Sequence, residues 1–146
     1  MVKILFVCHG NICRSPMAEY VMKDLVRKAG REAEFAIASA AVSREELGNG
    51  VYPPARRELA RHGIGCDGHH ARQITRSDVD KFDHIYYMDS SNARYLRQMF
   101  PNEIKYESFL PRNVADPWYT GDFTQTWADI CDGCEIIINK IKENTL

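Results

Sequence analysis

No stretch of this chain is apolar for the roughly 20 residues that crossing a membrane requires. The run "MVKILFVCHG" at the N-terminus is apolar, but no small-residue cleavage site follows it, so it is expected to be a strand and not a signal peptide. Net charge is nearly absent too, at −1, which leaves no global basic field to hold nucleic acid. The five cysteines are an odd number with no framework spacing. A disulfide scaffold is therefore not expected, and a reducing cytoplasm is. There is no repeat, low-complexity tract or linker. With 45% apolar residues, the 146 residues suffice for one core and one domain, 1–146.

What is present alternates between two periods. "KILFVC" (3–8) reads as a strand buried on both faces. "SPMAEYVMKDLVRKAG" (15–30) reads as a helix, with Ser15 as cap, Pro16 in first position, Glu19 in the first turn and Gly30 at the end. A second strand is expected at 33–40, a loop at 43–55 and a short helix at 54–64 closed by Gly63. Next come a helix at 75–82 capped by Thr75, a strand at 84–88, a helix at 90–100 and a fourth strand at 104–109. A long helix at 124–143 closes the chain. Strands alternating with helices predict an α/β fold, a single doubly wound parallel sheet with helices on both faces.

In such a sheet ligands bind beyond the carboxyl ends of the strands, and Cys8 falls at that end of the first one. "VCHGNICRSP" (7–16) then enters a helix whose free N–H groups and dipole attract an anion. Gly10 permits close backbone approach or a positive φ, and Asn11 tolerates the left-handed region, so the loop can curl with its amides inward. Arg14 supplies a planar fork that matches two phosphate oxygens. Thiols at a helix N-terminus beside an arginine ionise readily, and a thiolate beneath a phosphoryl group is a nucleophile in place. Cys-x5-Arg alone is common, and a lone cysteine at a strand end is ordinarily a buried small hydrophobe. The conjunction with Gly10, Asn11, Ser15 and the helix start is what gives Cys8 chemical meaning.

Expelling an alkoxide or phenolate then calls for a proton donor on another loop. Asp116 in "VADPWYTGD" (114–122) is the candidate, held extended by Pro117, although Asp-Pro by itself is only a turn signal. Trp118 and Tyr119 offer an aromatic wall to a flat ring. Cys13 lies close to Cys8 in a curled loop, and two such thiols can close a reversible disulfide. The alternative is that Cys13 packs beneath the loop.

"VCHGNICRSPMAE" closely resembles the phosphate loop of the low-molecular-weight protein-tyrosine phosphatases. The resemblance continues through "SAAVS" (39–43), "HGI" (62–64), "HHARQIT" (69–75), "FDHIYYMDSSN" (82–92) and "DPWYTGDF" (116–123). It implies a four-stranded parallel sheet, a cysteinyl-phosphate intermediate on Cys8, and no metal or other cofactor. It implies that Asp116 protonates the leaving phenol and later activates water. His9, Gly10, Asn11, Ile12, Cys13, Arg14 and Ser15 would form the loop, with His9 at the pocket opening and Ser15 helping the sulfur leave. Ser39 and His69 would brace the loop through Asn11 and Ser15; without the resemblance they read as a strand-end hydroxyl and a surface histidine. Asp89 would order structure near Arg14, and Arg72 would be an ion-pair or capping partner. The implied partner is a phosphotyrosine-containing protein or peptide, with the chain a monomer or weak dimer.

The chain departs from the family pattern in two places. Trp118 replaces a more usual tyrosine, and the loop 43–50 carries Glu45 and Glu46 where a rim aromatic is frequent, making the pocket wall acidic. Arginine-phosphate phosphatases resemble this family with threonine at the place of Ile12, so Ile12 favours phosphotyrosine. Arsenate reductases need further cysteines to relay a disulfide, and none lies between Cys66 and Cys131. Two non-enzyme readings stand beside these. One is a zinc or redox module on "CDGC" (131–134), which would sit inside a helix with no second pair. The other is a phosphate-reading adaptor, against which Asp116 speaks.

Overall fold

The computed structural model describes all residues, Met1–Leu146. The chain runs β1 (Val2–Cys8), α1 (Arg14–Lys28), a 3-10 turn (Glu32–Glu34), β2 (Phe35–Ala41), α2 (Pro53–Arg61) and α3 (Arg76–Lys81). It continues through β3 (His84–Tyr87), α4 (Ser90–Met99), β4 (Tyr106–Ser108), α5 (Pro117–Thr120) and α6 (Phe123–Lys142). The four strands form one sheet in the order β2-β1-β3-β4, every neighbouring pair parallel. The α/β class and the four-stranded parallel sheet expected from the sequence are what the structure has.

β1 is the centre of the sheet because both its faces are apolar. Ile4, Phe6 and Cys8 point into the larger core, beneath α1 and α6. Leu5 and Val7 point into the smaller core, with Val79, Phe82, Ile85 and Leu96. Burying each such side chain is worth roughly 1.5–3 kcal/mol. Phe6 anchors the larger core by stacking on Tyr86 at 5.8 Å and meeting Phe109 edge-on at 5.6 Å between ring centres. Phe109 lies over Gly133 of α6 so closely that a Cβ on that glycine would fall 2.7 Å from ring atom Cδ2, and nearer still to two others. A glycine inside the long helix, costly for helix formation, is thus what lets the ring enter.

Several boundaries differ from the sequence expectation. Helix α1 starts at Arg14, with Cys13 in the capping position and no side-chain cap. Ser15 is not the cap, because its hydroxyl is turned toward Cys8 and Asn11 instead. Pro16 accordingly sits third in the helix, where its missing N–H still costs nothing. Glu19, two residues further into the helix than expected and so beyond its first turn, is buried. β2 begins at Phe35 since Glu32–Glu34 make a 3-10 turn. β4 keeps only Tyr106–Ser108. Pro53 already opens α2, so the loop expected to 55 ends earlier. The loop after Asp116 contains the four-residue helix α5, absent from the sequence reading. Thr75 and Asp89 do cap their helices, each in a reciprocal capping box.

Candidate active site

Cys8 ends β1 at the carboxyl edge of the sheet, where the strand order reverses between β2 on one side and β3 on the other. The next five residues curl back under the start of α1. The left-handed turn falls on Asn11 (φ 62°), not on Gly10. Gly10 serves by being small: a Cβ there would come 3.2 Å from the Glu46 side chain. The curl aims the Asn11 N–H at the Cys8 sulfur, 3.3 Å away, and the Ser15 hydroxyl lies 3.0 Å from the same sulfur.

A left-handed asparagine needs outside support, and it has support on every polar atom. Asn11 Nδ2 donates to Ser15 Oγ at 2.8 Å and to Ser39 Oγ at 2.9 Å. Its Oδ1 accepts from the Arg72 backbone N–H at 3.2 Å. The Asn11 carbonyl accepts from His69 Nε2 at 2.8 Å, so that nitrogen carries the proton. His69 is buried against Tyr20 and is no surface histidine. Arg72 holds Asp78 with two hydrogen bonds. Burial would raise the Asp78 pKa, but Arg72 and the Thr75 backbone outweigh it and hold the carboxyl below its ordinary range.

Arg14 is 2% exposed and enclosed by acceptors. Its Nη1 donates to Asp89 Oδ2 at 2.7 Å and to the Val114 carbonyl at 2.8 Å, and its Nη2 to Asp116 Oδ2 at 3.3 Å. Burial alone would weaken its charge; Cys8, Asp116 and Asp89 around it outweigh that and raise its pKa. Cys13 responds oppositely. Burial, then Cys8 and Asp116, push its thiol well above the ordinary value, against the pull of Arg14. The surroundings of Cys13 therefore keep its thiol protonated.

Asp116 caps α5, its Oδ1 accepting from the Trp118 N–H at 3.0 Å while its Oδ2 faces Arg14. Cys8, Arg14, Asp116 and Ile12 therefore share one pocket, walled by Trp118 and Tyr119 on one side and by Glu45 and Glu46 on the other. His9, at its edge, lies 2.9 Å from the Glu45 carboxylate. Every pocket residue picked from the sequence lines this cavity or braces the loop beneath it. Two further residues were not picked. The Tyr52 ring lies tilted against Trp118, 4.9 Å between ring centres, backing that wall, and its N–H donates to the Ile12 carbonyl. Glu19 accepts from Ser39. A tyrosine just ahead of two prolines, and a glutamate four residues before Lys23, were the available signals.

Elsewhere, Cys134 is fully buried, with its sulfur 3.6 Å from the Ala18 carbonyl, while Cys131 is partly exposed. No group of three His, Cys, Asp or Glu side chains is arranged to hold a metal ion, and no helix is long and apolar enough to cross a membrane.

Comparison with known proteins agrees with this geometry. Residues 3–146 match the family described as low molecular weight phosphotyrosine protein phosphatase. The low molecular weight protein-tyrosine-phosphatase YfkJ of Bacillus subtilis is 39% identical, the match covering 98% of this chain and 97% of that protein. Its crystal structure superposes with a TM-score of 0.94, over 100% of this chain and 98% of that one. The low molecular weight protein tyrosine phosphatase SP-PTP of Streptococcus pyogenes gives a TM-score of 0.90 at 38% identity, over 96% and 93% of the two chains. The Drosophila arginine phosphatase DARP gives 0.87 at 29% identity, over 97% and 98%.

Proposed function

The chain belongs to the low molecular weight phosphotyrosine protein phosphatase family, a family of protein-tyrosine phosphatases, and from that premise we propose that it hydrolyses phosphotyrosine through a phosphocysteine on Cys8. The observation that carries the proposal is the shared pocket. It holds a sulfur that accepts an N–H and lies 3.0 Å from a hydroxyl, a buried guanidinium and a carboxylate on a separate loop. The loop amides and Arg14 bind the three phosphoryl oxygens, and their charge complementarity strengthens as negative charge spreads over those oxygens. The Cys8 thiolate attacks phosphorus in line with the leaving oxygen, forming S–P as P–O breaks. Asp116 gives its proton to the departing phenolate. The same carboxylate then takes a proton from water, which attacks the phosphocysteine; phosphate leaves and the thiolate returns. Ser15 stabilises the sulfur each time it carries charge. Residues 1–146 act as one such domain, with no metal.

Substrate choice follows from the walls. Trp118, backed by Tyr52, and Tyr119 accept a flat aryl ring. Ile12 offers an arginine phosphate no polar partner, which separates this reading from the activity of the Drosophila relative. Cys13 protects Cys8 by forming a reversible disulfide with it under oxidation. The experiment is turnover of p-nitrophenyl phosphate in metal-free buffer, followed by matched phosphotyrosine and phosphoarginine peptides. Wild type should prefer phosphotyrosine, and Cys8→Ser should be inactive while still binding vanadate. Substantial activity in Cys8→Ser would refute the covalent route, and a preference for phosphoarginine would refute the reading of Ile12.

A further inference from the structure

The pocket around Cys8 encloses about 80 Å³, far less than the roughly 300–1,000 Å³ of a site that surrounds a whole small ligand. Beside it lies a second groove of about 400 Å³, and Ile12, Glu46 and Trp118 line both. The other walls of the groove include Val51, and Pro53 and Arg56 of α2. We propose that this groove seats the polypeptide on one side of the phosphotyrosine in extended form, with an apolar side chain over Val51, Pro53 and Trp118 and an acidic side chain on Arg56. This deepens the reading of the chain as a protein-tyrosine phosphatase and rests on it.

Three observations point to a peptide chain as the occupant. The first is continuity. Trp118 borders both spaces, so a chain leaving the pocket past Ile12 and Trp118 enters the groove. The second is backbone. Gly50 and Val51 line the groove and make no hydrogen bond within the chain. Their neighbours are fixed: the Asn49 carbonyl accepts from the Ala71 N–H, and the Tyr52 N–H donates to the Ile12 carbonyl. A fixed segment with free N–H and C=O groups is what an extended peptide pairs with. The third is charge. Arg56 is exposed, and the places three and four residues on, where an acid of the same helix would meet it, hold Leu59 and Ala60. Glu58, the acid of that helix, is taken by Arg61 and His62. Arg56 lines the groove and not the pocket, whereas Glu45 lines the pocket and not the groove. The binding surface thus carries opposite charge at its two ends, which gives a bound chain a direction: acidic toward Arg56, basic toward Glu45.

The test compares phosphotyrosine peptides with free phosphotyrosine, which has no flanking residues. The peptides carry leucine and glutamate on one flank, N-terminal in one set and C-terminal in the other, with serine and lysine at the same places in matched controls. The readout is kcat/KM for each peptide divided by kcat/KM for free phosphotyrosine. On the flank that enters the groove, leucine in place of serine should raise this ratio about tenfold, and glutamate in place of lysine about fivefold. Arg56→Glu should reverse the glutamate preference. Arg57→Glu, one residue along the helix and outside the groove, should keep it. The inference is overturned if neither flank shows a preference that Arg56→Glu reverses. It is also overturned if Arg57→Glu reverses the preference equally, since the cause is then the field of the whole helix and not a seat in the groove. Sedimentation showing a dimer that Arg56→Glu dissolves would assign the groove to a second copy of the chain and likewise overturn it. Failure to hydrolyse free phosphotyrosine would sink the reading of the pocket itself, whereas hydrolysis without the reversal would sink this inference alone.

Discussion

Replacing Gly133 by alanine pits helix propensity against packing. Inside an exposed helix the change would stabilise by about 1 kcal/mol. Here the new methyl would fall 2.7 Å from Phe109 Cδ2, where carbon atoms normally sit about 3.5–4.0 Å apart. Two ring atoms lie nearer still, so relief requires the ring to move by well over about 1 Å. Phe109 is 4% exposed and backed by Phe6, which is itself stacked on Tyr86, so the ring has nowhere open to go. Overpacking of that kind costs about 1–3 kcal/mol. Set against the propensity gain of about 1 kcal/mol, the net is a loss of up to about 2 kcal/mol, or a Tm lowered by up to roughly 8 °C for a chain of this size. Differential scanning calorimetry of Gly133→Ala measures it. A second variant, Phe109→Leu, removes the obstructing ring edge, so on that background the alanine should cost about 1 kcal/mol less. A Tm equal to or above wild type in the single variant would refute the packing argument and leave helix propensity in control.

Asp116→Asn should slow aryl phosphates with poor leaving groups more than those with good ones, by up to roughly 10²–10⁴-fold, and abolish one limb of the pH–rate profile; uniform slowing would assign Asp116 a structural role. Glu45→Gln with Glu46→Gln should raise KM for phosphotyrosine peptides with basic flanks, an effect that shrinks with added salt, and KM values unchanged at low salt would count against an acidic rim. Peroxide-inactivated enzyme should recover with a dithiol, and Cys13→Ala should recover poorly; full recovery of the variant removes the protective role. Asp78, whose folded pKa is depressed, contributes stability present above its unfolded pKa and lost as pH falls through the folded one. Asp78→Asn should therefore lower Tm at neutral pH, with the difference closing below the ordinary carboxylate range.

The parts of this site that a reader of the sequence could find are those whose chemistry is local. A strand-end cysteine, an arginine six residues on and a helix start are one contiguous signal. The sheet was equally legible, because β1 is apolar at consecutive positions and can only be a central strand. What stayed hidden depends on partners distant in the chain. Ser15 looked like a helix cap because its type and place suited one, yet tertiary hydrogen bonds to Asn11 and Cys8 claimed its hydroxyl. Glu19 looked like a first-turn acid and is instead an acceptor for a strand. Tyr52 sat in a segment whose glycines and prolines spelled only a loop. Asp116 and Pro117 spelled a turn, and the helix they start is too short to show a period.

Arg14 is bound to carbonyl and carboxylate groups 75, 100 and 102 residues further along the chain. Bringing such separated segments together incurs loop-closure entropy before any contact rewards it, so contacts of this span belong to the slow, late part of folding. A chain cut before residue 114 has the cysteine loop and Asp89 but lacks the other two partners that hold the guanidinium in place. Phosphatase turnover during refolding should accordingly lag behind the recovery of secondary structure, and the onset of activity marks the moment when the two ends of the chain have met.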